Sequence, residues 1–545
     1  MCGIAGFIAD PARRSTADKM RAVAKAMDFS LEHRGPDGHD VWIDDDAGIA
    51  LVHRRLAIVD LSPAGHQPMH SADGRYVISY NGEVYSHLAI RADIEATGHQ
   101  FRGHSDTEVI IEAVAKYGIA ATASRLIGMF AFAIWDKKDR TLTLVRDRLG
   151  IKPVYWMHTD GLFVFASELK ALRQHPDWTP RISPEAVASF MRHNYIPAPH
   201  TISEGVFKLE PGTILTLPWC GKPKLEKFWD ARKIANEGIQ NPFKETDAVL
   251  TDHLEALLID AVGKRMLADV PLGAFLSGGI DSSTVVALMK AANSGPVKTF
   301  SIGFEQAAFN EAPHAAAIAR HLGTDHTELT VTSREALDVV PKLADMFDEP
   351  FADSSQIPTY LVSAMTRKHV TVALSGDGGD ELFAGYNRYQ LTSRSWQALS
   401  LMPEFARNGV AAALTSQPTE RWDRLSQVLP RSLTPPQLGD KIHKVASVLK
   451  LRDADALYRR LVSHWEPSTL MAETEETRGI LWDESVKKDF PYLLDRMQFL
   501  DLVTYLPDDI LTKVDRCSMA IALEARVPLL DHRVVELAWR LPHSV

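Results

Sequence analysis

Between about residues 270 and 380 the chain alternates short apolar runs with helix-length ones. This regularity narrows the choice of fold more than any other feature of its 545 residues. VPLGAFLSGG reads as a buried strand and turn, DSSTVVALMKAAN as a helix, VKTFSIGF as a strand and EAPHAAAIARHLG as a helix. HTELTVT is then a strand, SREALDVVPKLADMF a helix and VTVALSGDGG a strand. Strands joined in this way by helices lie parallel, in a sheet covered on both faces. From about 390 on, DADALYRRLVSHW and SVKKDFPYLLDRMQFLDLVTYL keep a helical spacing of apolar residues, so the expected C-terminal part is mostly helical.

The first 190 residues are built differently. YVISYNGEVY (76–85), MFAFAIWD (129–136), TLTLVRD (141–147) and LFVFASE (162–168) are strand-like, with helical DTEVIIEAVAKYG (106–118) between them. Strands in groups with few helices suggest an α+β layered domain. The stretch 195–250 is rich in Pro and Gly and reads as a connector with some strand content. The expected division is 2–190, a connector at 191–250, and 251–545.

FLSGGIDSS (275–283) closes one buried strand and opens a helix. In an open parallel sheet, ligands gather at the carboxyl ends of the strands. Gly278 and Gly279 let the backbone approach a ligand, and Ser277, Ser282 and Ser283 supply hydroxyls. The helix start aims unsatisfied N–H groups at the same place, which suits an anion. Asp281 fits an anion site only with a cation between it and phosphate, and Mg²⁺ is held in this way by one or two carboxylates plus phosphate oxygens. LSGDGGDE (374–381) ends another apolar strand and adds Ser375, Gly376 and the carboxylates Asp377, Asp380 and Glu381. On neighbouring strands the two clusters meet at one edge, with Asp281 and Asp380 holding the metal from two sides. Either cluster alone reads as an ordinary loop; the pair, each behind a buried strand, reads as a nucleotide site. The lysine pattern of a P-loop kinase or ATPase is absent.

MCGIAGF places a thiol directly after the initiator methionine. With Met1 removed, Cys2 carries a nucleophile and a free α-amine whose pKa of roughly 7.7–8.0 lets it accept the thiol proton. The oxyanion of acyl transfer needs preorganised donors, and YNGEVY offers Asn81 and the Gly82 N–H in a turn. Arg55, Glu83 and Asp106 supply charges for the carboxylate and ammonium of an amino-acid substrate. A cysteine at position 2 also serves as a small buried residue, and Arg55 and Asp106 also serve as a structural ion pair.

Composition removes other classes. A net charge of −10 leaves no basic footprint for nucleic acid. Three cysteines, Cys2, Cys220 and Cys517, make no disulfide framework and point to a reducing compartment; the latter two read as inert packing residues. No apolar run approaches the roughly 20 residues of a membrane helix, and no basic stretch leads into an apolar one as in a signal peptide. A cytoplasmic protein acting on small molecules, without nucleic-acid or membrane partners, is expected.

CGIAGF, HRGPDG, HRRLAIVDLS, YNGEVYSH, SDTEVI, GMFAFAIWD and RDRLGIKPVYW together resemble an N-terminal-nucleophile (Ntn) glutamine amidotransferase domain. LSGGIDSS, LSGDGGDE and EARVPLLD (524–531) resemble the synthetase domain of glutamine-hydrolysing asparagine synthetase, an α/β ATP pyrophosphatase of the PP-loop type. The resemblance implies an Ntn layered sandwich followed by the parallel-sheet domain with a helical C-terminal part. It implies that Cys2 hydrolyses glutamine through a thioester, with Asn81 and Gly82 at oxyanion-hole positions and Arg55, Asn81, Glu83 and Asp106 at glutamine-binding positions. Leu276, the run Ser277, Gly278, Gly279, Asp281, Ser282 and Ser283, Ile302, and Ser375–Gly376 match ATP-contacting positions. ATP then adenylates a carboxylate, aspartate in the family, with release of pyrophosphate, and channelled ammonia displaces AMP. Asp377 stands where the family has a Glu implicated in the adenylate step. EPFADSSQIPTYL (349–361) departs from the threonine-rich acceptor segment of bacterial asparagine synthetases. That departure keeps open a sugar uronate or peptide acceptor, and the short stretch after EARVPLLD keeps open an inactive glutamine- or ATP-binding regulator. The family continues beyond EARVPLLD with a lysine-bearing tail, so a chain shorter than the family's is expected. A homodimer is among the assemblies the resemblance allows.

Overall fold

The structure is a computed structural model that describes residues 2–13, 15–293, 295–305, 310–426, 438–465, 474 and 477–543. Met1, whose removal the Cys2 chemistry requires, and the end of the chain at 545 lie outside these residues.

Two antiparallel sheets of six strands form the N-terminal part. In the first, the strands run in the order Val206–Lys208, Tyr155–Thr159, Leu162–Ala166, Gly3–Ala9, Ile49–Arg55 and Gly38–Asp44. In the second the order is Lys224–Lys227, Thr213–Pro218, Thr141–Arg146, Gly128–Asp136, Tyr76–Val84 and Met69–His70. Side chains alternate across a strand, so a strand buried on both faces reads as one apolar run. GMFAFAIWD does this: Ala131, Ala133 and Trp135 meet Ile4, Ile8 and Leu51 of the other sheet. Phe130, Phe132 and Ile134 face the opposite way, onto Val109, Ile110 and Val114 of helix Asp106–Tyr117. On the far side, Ala5 and Phe7 pack on Met20, Ala24 and Met27 of helix Ala17–Ser30. The result is a helix–sheet–sheet–helix sandwich, as the sequence led one to expect. The strands of segment 191–250 are built into both sheets rather than strung between domains.

The second sheet system has five strands, all parallel, in the order Asp325–Val331, Lys298–Phe304, Leu272–Phe275, Val372–Leu374 and Glu524–Arg526. Val285, Val286 and Met289 of helix Ile280–Ala292 cover one face together with Ala315 and Ala319. Met365 and Val370 cover the other, against Phe300 and Ala373. The chain moves outward from Leu272–Phe275 to one edge and then returns to its other side at Val372–Leu374. The order reverses between these two strands, and it is there that the carboxyl ends leave a crevice.

Two expectations need correction. SREALDVVPKLADMF is not one helix but Ser333–Val339 and Leu343–Phe347, joined by a tighter turn at Val340–Lys342. Pro341 has no N–H and its ring crowds the preceding turn, so an unbroken helix is excluded. Cys220 does not pack inside: it is exposed, in a turn with φ 58°. Cys517 is buried, among Val339, Met346 and Phe347. Among the described residues no helix is long and apolar enough to cross a membrane.

Candidate active sites

Cys2 leads into strand Gly3–Ala9 and is 8% exposed. Its backbone N–H donates to Asn81 Oδ1 at 2.9 Å, and its carbonyl accepts from Arg34 Nε at 3.1 Å. Burial pushes the thiol above its ordinary pKa, so activation requires a base beside it. Asn81 is fully buried, and its Nδ2 has no partner. A buried amide donor left unpaired is costly, and it marks a place for an oxygen to come. Gly82 lies inside strand Tyr76–Val84, opposite Phe130, and not in a turn. A glycine is required there: its φ is 155°, and an added Cβ would stand 2.1 Å from Met129 O.

Asp106 opens its helix behind the Ser105 cap, and its Oδ2 accepts from Tyr80 Oη at 2.7 Å and the Val84 N–H at 2.9 Å. Arg55 is anchored on main chain: its guanidinium donates to Ser62 O at 3.2 Å and to Asp60 O. Glu83 is buried, and burial, Glu524 and Asp106 push its carboxyl well above the usual range against the pull of Arg526, whose Nη2 is 3.6 Å away. Glu524 and Arg526 belong to the edge strand of the parallel sheet, so the second domain walls the first domain's site.

The two domains also share a buried charge cluster. Arg34, with no exposed surface, donates from Nη1 to Glu168 Oε1 at 2.7 Å. It also grips Asp515 through two bonds of 2.9 and 3.1 Å. Arg516 reaches the same Glu168 at 3.0 Å, and Lys152 Nζ is 3.4 Å from Asp515. Burial opposes ionisation of Asp515, but Arg34 and Lys152 outweigh it and hold the carboxyl below its ordinary value.

At the crevice of the parallel sheet, Ser277, Gly279, Asp281, Ser282, Ser375, Gly376, Asp377 and Asp380 line a cavity of about 750 Å³. Leu276, Gly278, Ser283 and Ile302 are not among its lining residues, and Leu276 packs in the core. Ser277 Oγ and Ser282 Oγ are 3.0 Å apart, and Ser283 Oγ donates to Gly279 O at 2.6 Å, which ties the loop to the first helical turn. The Asp281 carboxylate lies directly on Gly379, where a Cβ would stand 2.3 Å from its Oδ2. Burial, then Asp380, then Asp377, pushes Asp281 up to about 6. Asp281, Asp377 and Asp380 share this cavity with Lys513, and among the described residues no group of three acids or histidines could hold a metal by itself; two carboxylates completed by phosphate oxygens are the donor set that suits Mg²⁺.

A second chamber, of about 370 Å³, adjoins this cavity across Tyr505, which lines both. Segment 349–361 divides between them: Asp353 and Ser354 face the chamber, Ser355 and Thr359 the larger cavity. Lys513 Nζ donates to Asp353 Oδ2 at 3.2 Å and to Ser355 Oγ at 2.7 Å.

The asparagine synthase family model matches residues 253–545, and the glutamine amidotransferase domain model residues 1–229. The asparagine synthetase [glutamine-hydrolyzing] 1 of Bacillus subtilis (strain 168) is 35% identical over 548 residues, covering 100% of this chain and 82% of that protein. The chain belongs to the glutamine-hydrolysing asparagine synthetase family. A second Bacillus subtilis synthetase, number 3, is 29% identical over 560 residues, covering 99% of this chain and 81% of its own length. Amidase chry2 of Gibberella zeae is 28% identical over 584 residues, covering 100% and 83%.

As a member of this family the enzyme is a ligase that uses glutamine for amidation and ATP as its nucleotide. Reading the sequence singled out neither Arg34 nor Arg526 as a site residue, although both lie in quoted motifs, HRGPDG and EARVPLLD. The available signal was an arginine set among Gly, Pro and apolar residues, where a solvated charge is out of place.

Proposed function

We propose that the enzyme makes asparagine from aspartate, ATP and glutamine, with residues 2–190 and their strand-bearing extension as glutaminase and 251–545 as synthetase. The observation that carries this reading is an unbroken apolar cluster. It begins at Leu56, whose carbonyl is 4.0 Å from Cys2 Sγ, includes Ile58, Met129 and Ile151, and reaches Leu276 and Leu374 at the nucleotide loops. These side chains are packed against one another; a passage opening along them would keep ammonia neutral, whereas in water at neutral pH it is protonated and no longer a nucleophile.

In this reading the Cys2 thiol, deprotonated by its own α-amine once Met1 is gone, attacks the side-chain amide of glutamine. The Asn81 amide and the Gly82 N–H receive the developing oxyanion. Ammonia leaves, and water releases glutamate from the thioester. Glu83, Asp106 and Arg55 hold the amino-acid end of glutamine. In the crevice, Ser277, Gly279, Ser282, Ser375 and Gly376 seat ATP, with Leu276, Gly278, Ser283 and Ile302 supporting that seat. Asp281 and Asp380 would hold Mg²⁺, which when bound neutralises phosphate charge and eases the departure of pyrophosphate. The carboxylate acceptor attacks the α-phosphorus, Asp377 lies beside the adenylate, and ammonia displaces AMP. The buried thiols and the family fit a cytoplasmic enzyme.

Asn81→Ala is expected to slow glutamate release about 10²–10³-fold, the usual effect of deleting one oxyanion donor. Synthesis from ammonium salts should continue, which product chromatography would check. A second reading changes only the acceptor, to a uronate or peptide carboxylate. It is favoured by the placement of segment 349–361 along the chamber and by the amidase-named relative. Pyrophosphate release measured across aspartate, glutamate, uronates and peptide carboxylates decides between them. Aspartate as best acceptor, with AMP as nucleotide product, supports the first reading; a better non-amino-acid acceptor, or ADP, overturns it.

A further inference from the structure

The chamber behind Tyr505 is lined by more acids than cations. Its lining includes Asp353, Asp501, Asp509, Arg388, His193 and His464. Arg388 is matched by Asp501, with bonds of 3.1 and 2.8 Å to Oδ2, and Asp501 is further satisfied by Tyr389 Oη at 2.6 Å and Tyr458 Oη at 2.5 Å. Asp353 is matched by Lys513. Burial, with Arg192 and His464 adding, pushes His193 down to about 3, so it is neutral. Asp509 is left over. It is 3% exposed; its carboxyl shares a hydrogen bond with that of Asp353, and its Oδ1 has no hydrogen-bond partner. Burial and the neighbouring Asp353 push its carboxyl up to about 8, against Lys513 and Arg388.

The backbone explains how two consecutive acids serve different neighbours. Leu506–Ile510 is a π-helical turn set between helices Leu493–Val503 and Leu511–Met519. Pro507 removes a backbone donor there, which widens the turn. Asp508 then faces the first domain, accepting from the Ala198 N–H at 2.8 Å, while Asp509 lines the chamber.

A buried carboxyl with an unpaired oxygen, among neighbours that are already paired, calls for a cationic donor. We propose that the chamber is the acceptor subsite and that Asp509, backed by Asp353, selects acceptors bearing an ammonium group in addition to the carboxylate to be activated. The proposal rests on the reading of the adjoining cavity as the adenylation site. Asp509 is a specificity residue for the acceptor: the acid end of the acceptor points past Tyr505 to the nucleotide, and its ammonium stays at Asp509. A plain uronate or dicarboxylate leaves that oxygen unpaired.

The test pairs acids that differ only in the amine: aspartate with succinate, glutamate with glutarate, and 2-amino-2-deoxyglucuronate with glucuronate. Binding to the whole enzyme is measured by calorimetry with α,β-methylene ATP present, and pyrophosphate release is measured with ATP. In at least one pair the amine-bearing member is expected to bind at least about tenfold tighter, the scale of one charge-assisted bond. Asp509→Asn is expected to reduce that preference about tenfold or more through KM for the acceptor, with KM for ATP and glutamine hydrolysis unchanged. Asp509→Glu should restore part of it. Equal affinity within every pair, no binding in any pair, or an Asp509→Asn enzyme that keeps the preference overturns the proposal. Should Asp509→Asn not fold, the wild-type pairs decide alone. If glutamate or an aminouronate beats aspartate, the aspartate reading falls and the Asp509 proposal stands.

Discussion

Cys2→Ala abolishes glutamate release, by roughly four to six orders of magnitude as for other deleted nucleophiles, and leaves ammonium-dependent product formation near the wild-type rate. The separation follows from geometry. The groups that hold the start of the chain are main-chain ones, the Cys2 N–H on Asn81 and the Cys2 carbonyl on Arg34, so the substitution removes sulfur and nothing else. Cys2 is not among the residues that line the crevice of the parallel sheet, and it is linked to the second domain through Leu56 and the apolar cluster. Paired assays of glutamate with glutamine as donor, and of amide product with ammonium chloride as donor, check both halves. Loss of the ammonium reaction in a folded variant would mean that the two chemistries are not housed separately.

Asp281→Asn is expected to have the converse effect: pyrophosphate release falls about 10³-fold, in the range seen when a group stabilising phosphoryl charge is lost, while glutamine hydrolysis persists. Asparagine keeps the shape that Gly379 accommodates but not the charge that calls a cation to the loop. The substitution also relieves the crowding that pushes Asp281 up to about 6, since burial, Asp380 and Asp377 all disfavour its charge. The folded protein should therefore gain stability while losing turnover. The sign is fixed by linkage. A carboxyl whose folded pKa is raised costs stability at pH values above its unfolded pKa, and the cost grows until pH passes about 6. Raised thermal midpoint at pH 7 without Mg²⁺, together with absent pyrophosphate release, is the signature; an unchanged turnover would remove Asp281 from the metal site.

The strand–helix alternation foretold the parallel sheet because such sheets bury both faces and leave continuous apolar runs. GMFAFAIWD foretold a doubly covered strand for the same reason. That the two Gly/Ser/Asp loops would meet at one edge was legible because each follows a buried strand; those strands are neighbours, and the loops line one cavity. Less was legible where one domain finishes the other's site. Arg34 and Asp515 lie far apart in the chain, and neither carries a local pattern that names its partner. Gly82 was expected in a turn because Asn–Gly usually makes one, yet pairing with Phe130 holds it inside a strand, where the closeness of Met129 admits no side chain. Asp509 was hidden for a similar reason: in LPDDILTK only the turn imposed around Pro507 separates its surroundings from those of Asp508.

The charge cluster around Arg34 has a bearing on ancestry. By covalent order this arginine is part of the first half, but its counter-ion Asp515 comes from the second, and both are buried. Were the coding region cut between the halves, Arg34 would keep Glu168, but Asp515 would lose both Arg34 and Lys152, leaving the second fragment with a stranded carboxylate, a defect of roughly 3–5 kcal/mol. Fragments would be driven to rejoin rather than to diverge. Inheritance of the pair as one reading frame follows from that electrostatic debt, and shuffling either half onto a foreign neighbour would need the arginine or its aspartate to be replaced first.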